Sequence, residues 1–84
     1  MSEEFFEKLR KFVKNEFPNG LALRISKHYF KINTGERVLT LKKWIILMNF
    51  IKKRGYIIHE IICHENGTIG LIIGPVIEQL EGEE

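Results

Sequence analysis

The stretch YIIHEIICHENGTIGLIIG, from Tyr56 to Gly74, decides the fold. Two runs rich in β-branched residues flank Asn66-Gly67, the strongest short-range hairpin signal in a sequence. Strands are therefore expected over residues 56–64 and 68–74. Pairing across a two-residue Asn66-Gly67 turn sets Ile62 against Leu71 on one face and Ile61 against Ile72 on the other. Both faces of this hairpin are then apolar, and an isolated two-stranded unit is not stable in water. Other elements of the chain, or a second chain, have to cover it. Pro75 ends the second strand, residues 76–80 are expected to form a short helical turn, and residues 81–84 a flexible acidic tail.

Upstream of the hairpin, Thr40 is suited to cap a helix over residues 41–54 that Gly55 closes. Trp44, Ile45, Ile46, Leu47, Met48, Phe50 and Ile51 cover nearly its whole circumference, which predicts burial on more than one side. Further upstream, Phe5, Phe6, Leu9, Phe12, Val13 and Phe17 recur at helical spacing over residues 3–17. Ser2 is placed to cap this helix, and Pro18-Asn19-Gly20 ends it. Between the helices, residues 21–26 and 28–32 alternate in the manner of strands. A tight turn at Lys27-His28 predicts the pairs Ile25–Phe30, Leu23–Ile32, Ser26–Tyr29 and Arg24–Lys31, giving one apolar face and one basic, aromatic face. Asn33-Thr34-Gly35-Glu36 is a turn, followed by a short extended piece at 37–39.

These elements describe one α+β domain over residues 1–80, with two helices packed on a mainly antiparallel four-stranded sheet in the order α-β-β-α-β-β. Sliding the chain by 38 positions lays Phe6, Leu9, Phe12, Val13 and Lys14 on Trp44, Leu47, Phe50, Ile51 and Lys52, a loose αββ repeat. The apolar hairpin points to a homodimer, with Ile57, Ile61, Cys63 and Ile72 as interface residues.

The chain has 84 residues, too few for two cores, and its 44% hydrophobic and 29% charged composition is that of a globular domain. Its net charge of +2 conceals a segregation. All 13 Lys and Arg lie between Lys8 and Arg54, where the only acids are Glu16 and Glu36, and nothing basic follows Arg54. Such asymmetry is a mark of contact with nucleic acid or a charged surface. There is no Asp, so Asp-built calcium loops and two-metal nuclease sites are excluded from a single chain. A lone cysteine excludes a disulfide framework, and no apolar run reaches membrane-spanning length, so a reducing, cytoplasmic setting is expected. Abundant Glu, Lys and Ile beside one Gln is a pattern met in heat-adapted proteins.

Arg24, Lys27, Lys31, Arg37, Lys42, Lys43, Lys52, Lys53 and Arg54 are the candidate phosphate contacts, with His28 and Tyr29 candidates for bases or sugar. Phosphates require positive charge and unpaired bases an aromatic face. His59, Cys63 and His64 cannot close on one metal ion, since Cys63 and His64 point to opposite faces of a strand and His59 lies about 13 Å from Cys63. No metal or cofactor motif is present. The leading expectation is a small non-enzymatic nucleic-acid-binding protein, with the acidic tail competing for the basic surface. The alternative is a regulatory or accessory factor docking a protein through the hairpin of residues 56–74. A hydrolase or nuclease using His28, His59 and Glu60 ranks third, because neither a nucleophile nor a cofactor motif accompanies them.

Overall fold

A computed structural model describes residues 2–76. Helix α1 (Ser2–Glu16) leads into β1 (Leu21–Arg24) and β2 (Phe30–Asn33), and α2 (Leu41–Lys53) leads into β3 (Tyr56–Cys63) and β4 (Ile69–Pro75). The strands form one open antiparallel sheet in the spatial order β1-β2-β4-β3, so β1 and β3 are its edges. This is the α+β architecture the sequence implies. Val76 has no regular structure, and the remainder of the expected turn at 76–80 and the acidic tail at 81–84 lie outside the described residues, while Ser2, expected as a cap, is the first residue of α1.

Cα partners in an antiparallel ladder project to the same face. Phe30 pairs with Ile73 and Ile32 with Leu71, and all four are fully buried. Against them pack Phe5, Leu9, Val13 and Phe17 from α1 and its end, and Leu47 and Ile51 from α2. Both helices therefore cover the same side of the sheet. They run antiparallel, since Phe5 near the start of α1 meets Phe50 near the end of α2, while Lys43 at the start of α2 reaches the Glu16 carbonyl. The two αββ halves meet at β2–β4, and the superposable residues Phe12 and Phe50 stack on one another at 4.1 Å.

The caps follow the sequence. Thr40 Oγ1 accepts a hydrogen bond from the Lys43 N–H at 3.2 Å, and Gly55 closes α2 at φ +85° while its N–H donates to the Lys52 carbonyl. Expected burial of α2 on more than one side is not realised. Leu47 and Ile51 are buried but Leu41, Ile45 and Met48 are exposed, because two helices lie side by side on one sheet face with no third layer of described residues above them.

Both hairpins adopt registers shifted by one residue from those expected. In the first, no two-residue turn forms at Lys27-His28. The Ile25 and Ser26 N–H groups both donate to the Tyr29 carbonyl, and the pairs become Arg24–Phe30, Leu23–Lys31 and Ala22–Ile32. A two-residue turn of the favoured type requires positive φ, which among the described residues only Gly35, Gly55 and Gly67 adopt. In the second, the connection is the three-residue loop Glu65-Asn66-Gly67. His64 N–H donates to the Thr68 carbonyl and Gly67, at φ +90°, donates to the His64 carbonyl. Ile61 consequently pairs with Leu71 and Glu60 with Ile72, and a bulge between Ile58 and Glu60 absorbs the extra residue.

The extended piece expected at 37–39 forms no strand. Pairing occurs just before it, where Thr34 N–H and Oγ1 both donate to the Ile69 carbonyl and the Ile69 N–H donates to Glu36. Thr34 is thus fully buried with its hydroxyl satisfied.

Truncating Leu47 to Ala should cost about 2–5 kcal/mol in urea unfolding, whereas Leu41→Ala on the uncovered side of α2 should stay within about 0.5 kcal/mol. Equal losses would place α2 differently.

Candidate nucleic-acid interface

The shifted register turns Arg24 toward the helices. Its guanidinium lies 5.1 Å from the Phe6 ring centroid and 5.2 Å from that of Phe30, with the Glu3 carboxylate at 3.3 Å. Its Nη1 also reaches the Lys27 carbonyl at 3.4 Å. The expected opposition of Arg24 and Lys31 does not occur, since Leu23 stands opposite Lys31. Tyr56, stacked on Phe5 at 4.0 Å, has its hydroxyl pKa pushed up by burial, with the Arg24 charge acting in the opposite direction.

Two further candidate cations are engaged within the chain. Lys43 bonds the Glu16 carbonyl, lies 3.8 Å from the Glu16 carboxylate and sits over the Phe17 ring. Arg54 covers Phe50 at 4.1 Å and donates to the Phe50 carbonyl at 2.9 Å. Cations that fill these local roles are poorly placed to contact an external phosphate.

Tyr29 and Lys31 belong to the side of the sheet away from the helices. The Tyr29 ring lies directly on Gly74, where a Cβ would come within 2.4 Å of it, and beside the His59 ring at 5.3 Å. Gly70 plays the same part beneath His64, whose Nε2 is 2.9 Å from Asn33 Oδ1. Around them the face is aliphatic. Leu21, Leu23 and Ile25 of β1 and its end are 55%, 41% and 51% exposed.

The outer side of the helical layer is different. Lys42, Lys52 and Lys53 are exposed on α2, which contains no acid, and Lys52 and Lys53 line a shallow hollow of about 250 Å³ with Asn49. Lys8, Lys11 and Lys14 are exposed on α1. Among the described residues none of these six makes an ion pair. Lys27 and His28 are exposed at the tip of the first hairpin, and Arg37 packs beside Gly67 of the second loop. The eleven candidates are thus divided among the two sides of the sheet, with Arg24 on the helix side and Tyr29 and Lys31 on the other, the hairpin tip, one loop, and α2 with its C-cap. The α1 lysines were not among them, although the charge block beginning at Lys8 contained their signal.

His59 Nε2 donates to the Pro75 carbonyl at 2.9 Å, Glu60 is exposed on the edge strand, and His28 is at the hairpin tip. Among the described residues no hydrogen bond or ion pair joins the three. No group of three His, Cys or Glu side chains there could hold a metal ion. Of the expected interface residues, Ile57 and Ile72 lie on the sheet face away from the helices with Gly74 and Glu60, while Ile61 and the exposed Cys63 pair with Leu71 and Ile69 on the helix side. No described helix is long and apolar enough to cross a membrane. Comparison of the chain with protein-family models, curated proteins and solved structures gives no match.

Replacing Arg24 by Ala should destabilise the fold by about 1–2 kcal/mol through lost packing and cation–π contact with Phe6 and Phe30. Titration of Tyr56 gives a second test. Because its folded-state pKa is raised, its contribution to stability is complete below about pH 10 and is lost as pH rises through the folded value. Thermal unfolding of Tyr56→Phe should lack that component of the alkaline decline, and an unchanged decline would contradict the burial.

Proposed function

We propose that the protein is a non-enzymatic nucleic-acid-binding protein that contacts phosphates with the exposed lysines of its helical layer. The observation that carries this reading is the acid-free α2, with Lys42, Lys52 and Lys53 exposed and without ion-pair partners among the described residues; α1 adds the exposed Lys8, Lys11 and Lys14, of which Lys11 and Lys14 lie towards β1. Charges not neutralised by their own chain lower the cost of binding a polyanion and release its counterions. Lys27 and His28 extend the contact from the hairpin tip. Arg24, Lys43 and Arg54 keep their structural partners. The exposed lone thiol of Cys63 suits a reducing intracellular compartment.

A second reading is favoured by one feature. Val38, Leu41 and Ile45, 75%, 74% and 51% exposed, continue through Met48 as an apolar strip beside the same lysines. That combination fits a protein partner carrying acidic and apolar residues.

Fluorescence anisotropy of labelled single- and double-stranded oligonucleotides between about 50 and 200 mM salt separates the two. Affinity should fall steeply with salt, and the joint Lys42→Ala, Lys52→Ala, Lys53→Ala variant should reduce the logarithmic slope by about two to three on duplex DNA. Arg24→Ala should leave the slope unchanged. Absence of binding at low salt, or a slope indifferent to the triple variant, overturns the nucleic-acid reading.

A further inference from the structure

We propose that the acidic segment 77–84, IEQLEGEE, docks on the C-terminal half of α2 and occupies its exposed lysines until a polyanion displaces it. The docking stands apart from the proposed function, and only its regulatory consequence rests on that reading.

The point at which the chain leaves the sheet selects the surface. Pro75, the last residue of β4, pairs with Tyr56, the first of β3, and only Arg54 and Gly55 separate Tyr56 from the end of α2. Gly55 N–H donates to the Lys52 carbonyl, which holds this connection tight. Cα partners across an antiparallel ladder are about 5 Å apart, so β4 ends within about 15 Å of Lys52 and Lys53. Eight further residues span about 26 Å when extended, more than the roughly 20 Å over which the 13 residues of α2 rise.

Charge and apolarity then match. α2 contains no acid, and Lys52 and Lys53 are exposed with no ion-pair partner among the described residues. With Asn49 they line the hollow of about 250 Å³. The exposed Met48 and Ile45 precede Lys52 by four and seven positions, which places apolar surface on the same side of the helix. Residues 77–84 offer Glu78, Glu81, Glu83 and Glu84 without any base, and Ile77 and Leu80 as apolar side chains. Other basic surface is a poorer match. The tip of the first hairpin, brought near the end of β4 by the β2–β4 pairing, presents one exposed lysine, Lys27. The four bases of α1 are matched by four glutamates of the same helix.

Ion pairs between exposed side chains are individually weak and screened by salt, so the contact yields to a stronger anion. Tethering supplies the local concentration that the pairs themselves lack. A nucleic acid binding through Lys42, Lys52 and Lys53 has to displace the segment, and its apparent affinity falls with the fraction of chains in which the segment is docked.

A nitroxide at position 82, attached to Gly82→Cys in a Cys63→Ser chain, reads the docking without nucleic acid. The amide signals of Asn49, Lys52 and Lys53 should broaden at about 50 mM salt, more than that of Lys27, and should recover at about 1 M, where the screening length is about 3 Å. Joint Lys52→Gln and Lys53→Gln replacement should abolish the broadening, with the dispersion of the other amide signals establishing that the chain folds. Broadening that is absent at low salt, unchanged at high salt, indifferent to the lysine replacements or centred on Lys27 overturns the proposal. Oligonucleotide binding reads the consequence separately. The joint Glu78→Gln, Glu81→Gln, Glu83→Gln, Glu84→Gln variant should bind about threefold to tenfold more tightly at low salt, and an unchanged affinity overturns the regulation. Failure of every variant to bind an oligonucleotide overturns the proposed function instead, and the nitroxide measurement still decides the docking.

Discussion

Pairing of β2 with β4 is the constraint on which the remaining structure depends. It joins the two αββ halves and aligns Phe30, Ile32, Leu71 and Ile73 on one face, where all are fully buried. Those four residues bury only because α1 and α2 both lie over that face. The half-burial of α2 follows, as does the stacking of Phe12 on Phe50 between the helices. The opposite side of the sheet consequently carries aliphatic residues with no layer of this chain's described residues above them.

Element order was legible in the sequence because each element carried its own local signal. Helical spacing of apolar residues marked α1, and Thr40 and Gly55 bounded α2 through cap geometry that any neighbouring structure leaves intact. Register was not legible, because a shift of one residue depends on turn conformation and exchanges the faces of every side chain in the strand. Reading Leu23 and Ile25 as core residues followed the rule that large aliphatic residues go inside. Here the interior position went to Ala22, and Arg24 lies over Phe6 and Phe30 with Glu3 beside it. The small alanine leaves room for α1, and the long arginine covers aromatic surface with its own stem and charge.

The same shift redistributes the charge that the sequence displayed as one block. Arg24, Lys43 and Arg54 serve rings and carbonyls of their own chain, which removes them from any external role. Lys42, Lys52 and Lys53 are exposed on α2, Lys8, Lys11 and Lys14 are exposed on α1, and Lys31 faces the other way with Glu60 across Ile72. The positive excess of the helical layer thus lies on α2, since the four bases of α1 are matched by its four glutamates, and the side of the sheet away from the helices is apolar.

The removal of Arg24 from the basic surface rests on the register of β1 against β2, and cross-strand nuclear Overhauser effects measure it directly. The account predicts backbone contacts between Leu23 and Lys31 and between Arg24 and Phe30, with Arg24 side-chain protons shifted upfield by the Phe6 and Phe30 rings. Contacts between Arg24 and Lys31 instead, with Leu23 opposite Ile32 and unshifted Arg24 protons, would contradict it.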